Sequence, residues 1–293
     1  MPNLKEVRTR ISSVNSTMQI TSAMKMVSAA KLRKAQDAIT QMRPYAEKMQ
    51  EILEGLSTGL DTSENVYARE TKGEKILIVA ITSNRGLCGA FNSQIIKQVK
   101  NLIGGEYKDK NVTILTFGKK AEDAFRRTEY FIKGTLLPRH TNEIFDDLTF
   151  ENASKAATKV MDAFEKKQFD KVVLVYNSFK NAAVQVVKTE QWLPIQPVAA
   201  EDGAQVSSDY IFEPNKEEIV NDLIPKTLRT QFYKALLDSF ASEHGARMTA
   251  MHKATDNASD LLKDLKLTYN KARQAAITTE ILEIVGGAEA LNG

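Results

Sequence analysis

The chain has 293 residues, of which 42% are hydrophobic and 26% charged, a globular composition that excludes both a disordered chain and a membrane-embedded body. The formal charge is only +3, and one cysteine (Cys88) with three scattered histidines excludes an internal disulfide and leaves no spacing that reads as a metal site. No apolar run reaches the ~18 residues that span a bilayer, and no cleavable leader is expected before Leu4, where the chain is already charged and periodic. A lone thiol fits a reducing compartment.

The first predicted element is a helix from residue 4 to about 56, long enough to run about 80 Å. A heptad frame holds for eight repeats, with Leu4, Ile11, Met18, Lys25, Leu32, Ile39, Ala46 and Leu53 at a. Val7, Val14, Thr21, Ser28, Ala35, Met42, Met49 and Leu56 fall at d. In the middle the seam turns polar at Thr21, Lys25 and Ser28, while Ile20, Met24, Met26 and Val27 lie off it. Apolar side chains that leave their own seam imply a contact outside the coil, and adaptable methionines suit such a surface. Residues 1–36 also carry seven Lys or Arg against one acid, Glu6. Such a run is usually a solvated face. Nucleic acid would need the aromatic residues that are missing here, an acidic protein surface fits equally well, and charge alone does not choose.

A polar linker, "STGLDTSENVYARETKGE", follows. Next come β-branched runs, "KILIVAITS", "VTILTFG", "KVVLVYNSF" and "AVQVVKT", with helical patterns at 91–103, 119–128 and 150–167 between them. This alternation predicts a mainly parallel sheet covered by helices, closing near "WLPIQPVAAEDG". The stretch "ITSNRGLCGAFN" occupies the place of a phosphate loop but lacks both the dinucleotide and the P-loop glycine patterns. Its glycines are read as serving a tight turn and close packing, and Cys88 as a buried structural thiol; Arg85 nearby could lower its pKa, but no His lies within the motif. No cofactor site and no catalytic set are assigned.

After a short acidic helix at "EPNKEEIVNDLI", Pro225 is expected to open a new helix. A second heptad frame places Met251, Ala258, Leu265 and Ala272 at a, and Ala254, Leu261, Thr268 and Ala275 at d. Small seam residues let two backbones approach closely. Glu243, His244 and Arg247 are expected on a salt-bridged outer face. Beyond Ala275 the helix is apolar nearly all round, through Ile277, Ile281, Ile284 and Val285, and such a helix expects to be enclosed by another protein. The fold class is therefore α/β: a long antiparallel two-helix coiled coil of the N- and C-terminal helices, with an inserted Rossmann-like domain. The expected boundaries are 1–60 and 211–293 for the rod and 75–210 for the insertion.

Four motifs, "RTRISSVNSTMQITSAMKMVSAAKLRKAQ", "SNRGLCGAFN", "SEHGARMTAMHKATDNA" and "ITTEILEIVGGAEA", together resemble the γ subunit of F-type ATP synthase over essentially the whole chain. The last fits that family's C-terminal signature through Ile277, Thr278, Glu280, Glu283, Gly287, Ala288 and Ala290. The resemblance implies a central rotor shaft standing inside three α and three β subunits. It also implies that the α/β domain rests on the membrane c-ring beside the ε subunit, at the cytoplasmic face of a bacterial inner membrane. Membrane association would be indirect, with no nucleic acid involved and no active site on this chain. It further implies partner contacts at Arg273, Gln274, Thr278 and Glu280, a coupling role for Glu243 and Arg247, and contacts at Met24, Lys25 and Met26. Where the family commonly has Asp before "RGLCG", this chain has Asn84. Two other readings compete: a nucleotide-binding α/β enzyme with coiled-coil arms, and a passive coiled-coil scaffold. The missing phosphate loop argues against the first, and the apolar tip with its interrupted seam against the second.

Overall fold

The computed structural model describes residues 3–57, 66–69, 73–132, 137–138, 141–195 and 216–292. The elements in chain order are α1 (Leu4–Ser57), β1 (Lys75–Ile81), α2 (Phe91–Gly104), β2 (Asn111–Phe117), α3 (Lys119–Phe125), α4 (Phe150–Glu165), β3 (Lys171–Phe179), β4 (Gln185–Leu193) and α5 (Lys216–Asn292). Most of the expected linker, the stretch from Gln196 to Gly203 and the start of the acidic segment lie outside the described residues.

The chain forms two compact units, one of Met1–Ser28 with Met248–Gly293, the other of Ala29–Arg247. In the first, the α1 frame is met: Val7, Thr21 and Ser28 are buried, with Ile11, Val14 and Met18 half-buried. The polar seam is closed by hydroxyls. Thr21 Oγ1 and Thr255 Oγ1 lie 2.9 Å apart across the pair, and Ser28 donates to the Met24 carbonyl at 2.8 Å. The α5 frame needs a correction. Met251, Ala258, Leu265 and Ala272 do face inward, but Leu261 and Thr268 are exposed. Leu262 and Tyr269, one position further on, take their place, while Ala254 and Ala275 are half-buried as expected and Thr255 is half-buried beside Ala254. Either row keeps a 3.5-residue repeat with the first, so periodicity could not separate Leu261 from Leu262 or Thr268 from Tyr269; the Thr21–Thr255 bond fixes the rotation of the pair.

In the second unit the sheet order is β2-β1-β3-β4. β1 runs parallel to β2 and β3, and β4 is antiparallel to β3. Both faces of β1 are buried, which is why it reads as an unbroken apolar run rather than an alternating one. On one face Leu77, Val79, Leu115, Val172 and Leu174 pack with α4 and with Leu228, Phe232 and Leu236 of α5. On the other, Ile76, Ile78, Ile114 and Val173 pack with Phe91, Ile95 and Val99 of α2 and with Phe125 of α3. Further along the chain, Leu32 and Ala35 of α1 are buried as the heptad frame expects.

Pro225 does not open a helix. It lies inside α5, which runs unbroken from Lys216. Burial of Ile224, Leu228 and Phe232 outweighs the lost N–H and the local clash.

Candidate functional site

Two outward surfaces and one buried cluster stand out. On α1, Ile20, Met26 and Val27 are 60%, 65% and 57% exposed, with Met24 and Lys25 half-buried beside them. The apolar residues that leave the seam do reach the surface. On α5, Ile277, Ile281, Leu282, Ile284 and Val285 are 48–65% exposed. Counting along both helices from the Thr21–Thr255 pair places Leu4 opposite Ala272, so α1 from Leu4 onward supplies nothing to cover this stretch. Arg273, Gln274, Thr278 and Glu280 are exposed on the same segment, and the Thr278 hydroxyl donates back to the Gln274 carbonyl at 2.9 Å.

The buried cluster joins α5 to the loop after β1. Glu243, His244 and Arg247 are all buried, so the expected outer face is in fact an inner one. Helical spacing brings the three together but cannot say which side they take; here the loop at 85–89 covers them. Arg247 Nη1 donates to Glu243 Oε1 at 2.5 Å, and His244 Nδ1 lies 3.4 Å from the same nitrogen. Arg247 Nη2 donates to the carbonyls of Arg85 at 3.0 Å and Gly86 at 3.3 Å. The loop therefore turns carbonyl oxygens toward a guanidinium, the opposite polarity from a phosphate-binding loop, which offers N–H groups. Burial pushes the Glu243 carboxyl above its ordinary value, opposed by Arg247 and by Lys31 of α1.

The same loop anchors Cys88, which is buried and accepts from Asn92 Nδ2 at 3.1 Å. Burial raises its pKa despite the pull of Arg247, and Arg85 is exposed, so Cys88 is the buried thiol that the sequence reading expects. Asn84 bridges the ends of two strands: its Nδ2 donates to the Asn142 carbonyl at 2.7 Å and its Oδ1 accepts from the Lys119 N–H at 3.1 Å. An ionised Asp has no proton to donate to Asn142, so the amide suits this position. Leu87, at the loop tip, is exposed with a left-handed φ of 60°. Sequence reading missed the clamp between Arg247 and the loop because 161 residues separate Arg247 from Gly86. It missed Thr255 because a lone hydroxyl on a helix carries no pattern.

The sequence pattern of the ATP synthase family matches residues 3–291. An ATP synthase gamma chain from Christiangramia forsetii is 62% identical over 294 aligned positions, covering 100% of each chain. The chain belongs to the ATP synthase gamma-chain family. Among solved structures it is similar to a chain of the Tetrahymena thermophila mitochondrial ATP synthase central stalk and c-ring, with TM-score 0.58 and 27% identity, over 80% of this chain and 99% of that one. A chain of the Euglena gracilis mitochondrial ATP synthase shares the fold at TM-score 0.64 and 22% identity, over 98% and 94%.

For a gamma chain, the inner placement of His244 has a consequence for stability. Burial first, then the charges of Arg247 and Lys31, hold its pKa down to about 3. The Phe240 ring packs on it edge-on at 4.4 Å. The folded imidazole thus stays neutral while the unfolded one gains a proton near pH 6.5. Its contribution is complete above that pH and is lost as pH falls toward 3, at up to about 1.4 kcal/mol per pH unit. His244→Gln removes this loss. Urea unfolding of parent and variant between pH 7 and 5 should show a shallower decline in the variant; parallel declines would mean that His244 titrates normally.

Proposed function

We propose that this gamma chain is the central rotor subunit of an F-type, proton-translocating ATP synthase, carrying torque between the membrane c-ring and the catalytic β subunits. In this reading proton flow turns the ring, and the shaft meets three β subunits differently at any moment. Differential contact is what lets a rotor shift the binding equilibria of otherwise identical sites. The chain would thereby also set ATPase rate and proton flow, without an active site of its own. Its partners would be three α and three β subunits, the ε subunit and the c-ring. The chain would sit peripherally at the cytoplasmic face of a bacterial inner membrane; among the described residues no helix is long and apolar enough to cross a membrane.

The observation that carries this proposal is the apolar end of α5, exposed on every side and left without α1 cover. A helix of that kind needs a sleeve, not a single partner strand. The outward patch at Met24, Lys25 and Met26 supports it as a second contact, and Arg273, Gln274, Thr278 and Glu280 as the polar part of the first. Glu243 and Arg247 would contribute indirectly, by fixing the 85–89 loop. The basic face of α1 would meet an acidic segment of β.

Arg273→Ala with Gln274→Ala should leave melting of the isolated chain nearly unchanged, since exposed substitutions stay within about ±0.5 kcal/mol. After reconstitution with α and β, the same variant should assemble poorly or turn over more slowly. Ala272→Leu, on the seam, should instead destabilise the isolated chain by about 1–3 kcal/mol. If the exposed pair melts early and reconstitutes normally, this segment is not the β contact.

A further inference from the structure

β4 closes one side of the sheet. Among the described residues it pairs with β3 alone, so its outer edge carries backbone N–H and C=O groups with no strand beside them. Such an edge is a ready template for another strand, and charged side chains are the usual deterrent. Here Lys188, Thr189 and Glu190 are all exposed. Residues two apart in a strand share a face, so both charges lie on the α5 side. Lys188 stands opposite Tyr176 and Glu190 opposite Leu174, two residues of the core that α5 covers, and the Tyr176 phenol donates to Glu190 Oε2 at 2.8 Å. Thr189 faces the other way and accepts from Gln98 Nε2 of α2 at 3.2 Å.

A cation and a carboxylate on one edge deter any strand that cannot answer both. A second copy of β4, laid antiparallel, does answer them. Directly opposite residues of an antiparallel pair share a face, so a two-fold axis between two β4 strands must pass through a residue. Through Lys188 it sets lysine against lysine, and through Glu190 carboxylate against carboxylate, both destabilising. Through Val187 it sets Lys188 against Val186 and Glu190 against Val184, which leaves the charges unanswered. Through Thr189 it sets Lys188 against Glu190 of the second copy, and Glu190 against that copy's Lys188. Toward Leu193 the strand keeps no regular ladder, because its register with β3 shifts between Val172 and Val173. We infer that the chain, before it joins other subunits, pairs with a second copy through the outer edges of β4, on a two-fold axis at Thr189. The two sheets then continue into one. In the rotor reading each enzyme holds a single shaft, so this pairing lies beyond that reading: it covers the edge until assembly separates the copies.

Sedimentation equilibrium of the full chain reads the pairing, and cysteine cross-linking reads its register. The parent should pass from one copy to two as its concentration rises. Lys188→Glu sets like charges against each other at both pairs, and so does Glu190→Lys. Each should weaken the association about tenfold, the effect of reversing two cross-strand pairs. Lys188→Glu combined with Glu190→Lys rebuilds both pairs and should restore most of the association. For the register, an axis at Thr189 brings its two Cα atoms to about 4.5–5.5 Å, within the span of a disulfide. Thr189→Cys should therefore yield a cross-linked dimer under a mild oxidant. Val187→Cys, on the same face but about 13 Å from its own copy along the strands, should not. Nor should the parent, whose cysteine is buried. A parent that stays monomeric up to its solubility limit would overturn the inference. So would equal association in all the charge variants, which would place the contact elsewhere, as at the exposed end of α5. Cross-linking at Val187→Cys as readily as at Thr189→Cys would overturn it equally.

Discussion

Replacing Gly118 by Ala should cost about 2–6 kcal/mol, combining left-handed backbone strain with overpacking of a filled core. Gly118 follows β2 with φ 101°, and a Cβ built there would lie 2.1 Å from the Thr82 carbonyl oxygen and 2.8 Å from its hydroxyl. Thr82 cannot easily retreat, because its N–H and its hydroxyl are both bonded at the sheet end. The Thr82 N–H donates to the Phe117 carbonyl at 2.7 Å, and its hydroxyl accepts from the Ala121 N–H at 2.9 Å. The Gly118 N–H is itself bonded to Asn142 Oδ1 at 3.0 Å. A methyl group at 118 must therefore part β1 from the start of α3. Gly86 is the control, since its added Cβ would come no closer than 4.0 Å, to the flexible end of Lys120, and its φ is ordinary. Gly86→Ala should stay within about 0.5 kcal/mol of the parent. Urea unfolding of the three chains decides the matter; equal midpoints for both variants would show that the close approach at Thr82 relaxes freely.

Arg247→Gln should destabilise by about 3–5 kcal/mol, the usual result of leaving one partner of a buried ion pair uncompensated. Glu243 would remain buried beside the neutral His244, and the carbonyls of Arg85 and Gly86 would lose a charged donor. Two readouts separate these losses. Adding Glu243→Gln should recover much of the stability, because the orphaned charge disappears. It should not restore the loop, whose partner was the guanidinium rather than the carboxylate. Trypsin cleavage after Arg85, an exposed residue in a clamped loop, should therefore accelerate in the single and the double variant alike. A double variant that regains protection would mean that the ion pair, not the carbonyl bonds, fixes the loop.

Much of this architecture is written in residue order. The α1 seam, the four strands and the helices at 91–104 and 150–165 follow from local period and β-branching, and the structure places them within a few residues. The exposed patch at Ile20, Met26 and Val27 was legible for the same reason: side chains that leave a periodic seam have nowhere else to go. The apolar end of α5 was legible because Ile277, Ile281, Ile284 and Val285 fall off the seam, and they are exposed. Membership of the gamma-chain family, likewise, lies in motifs that the sequence displays directly.

Tertiary structure decided what local pattern leaves degenerate. On α5 Leu262 and Tyr269 turn inward in place of Leu261 and Thr268, in a helix whose rotation is held by the meeting of Thr255 with a hydroxyl on α1. Pro225 sits within a helix because apolar burial on either side outweighs its local preference to begin one. Glu243, His244 and Arg247 face inward because a loop more than 150 residues earlier in the chain presents two carbonyls to that guanidinium. A helical spacing of three and four fixes which side chains are neighbours on α5. Whether that face meets water or protein depends on distant segments of the chain, and that information exists only once they are folded together.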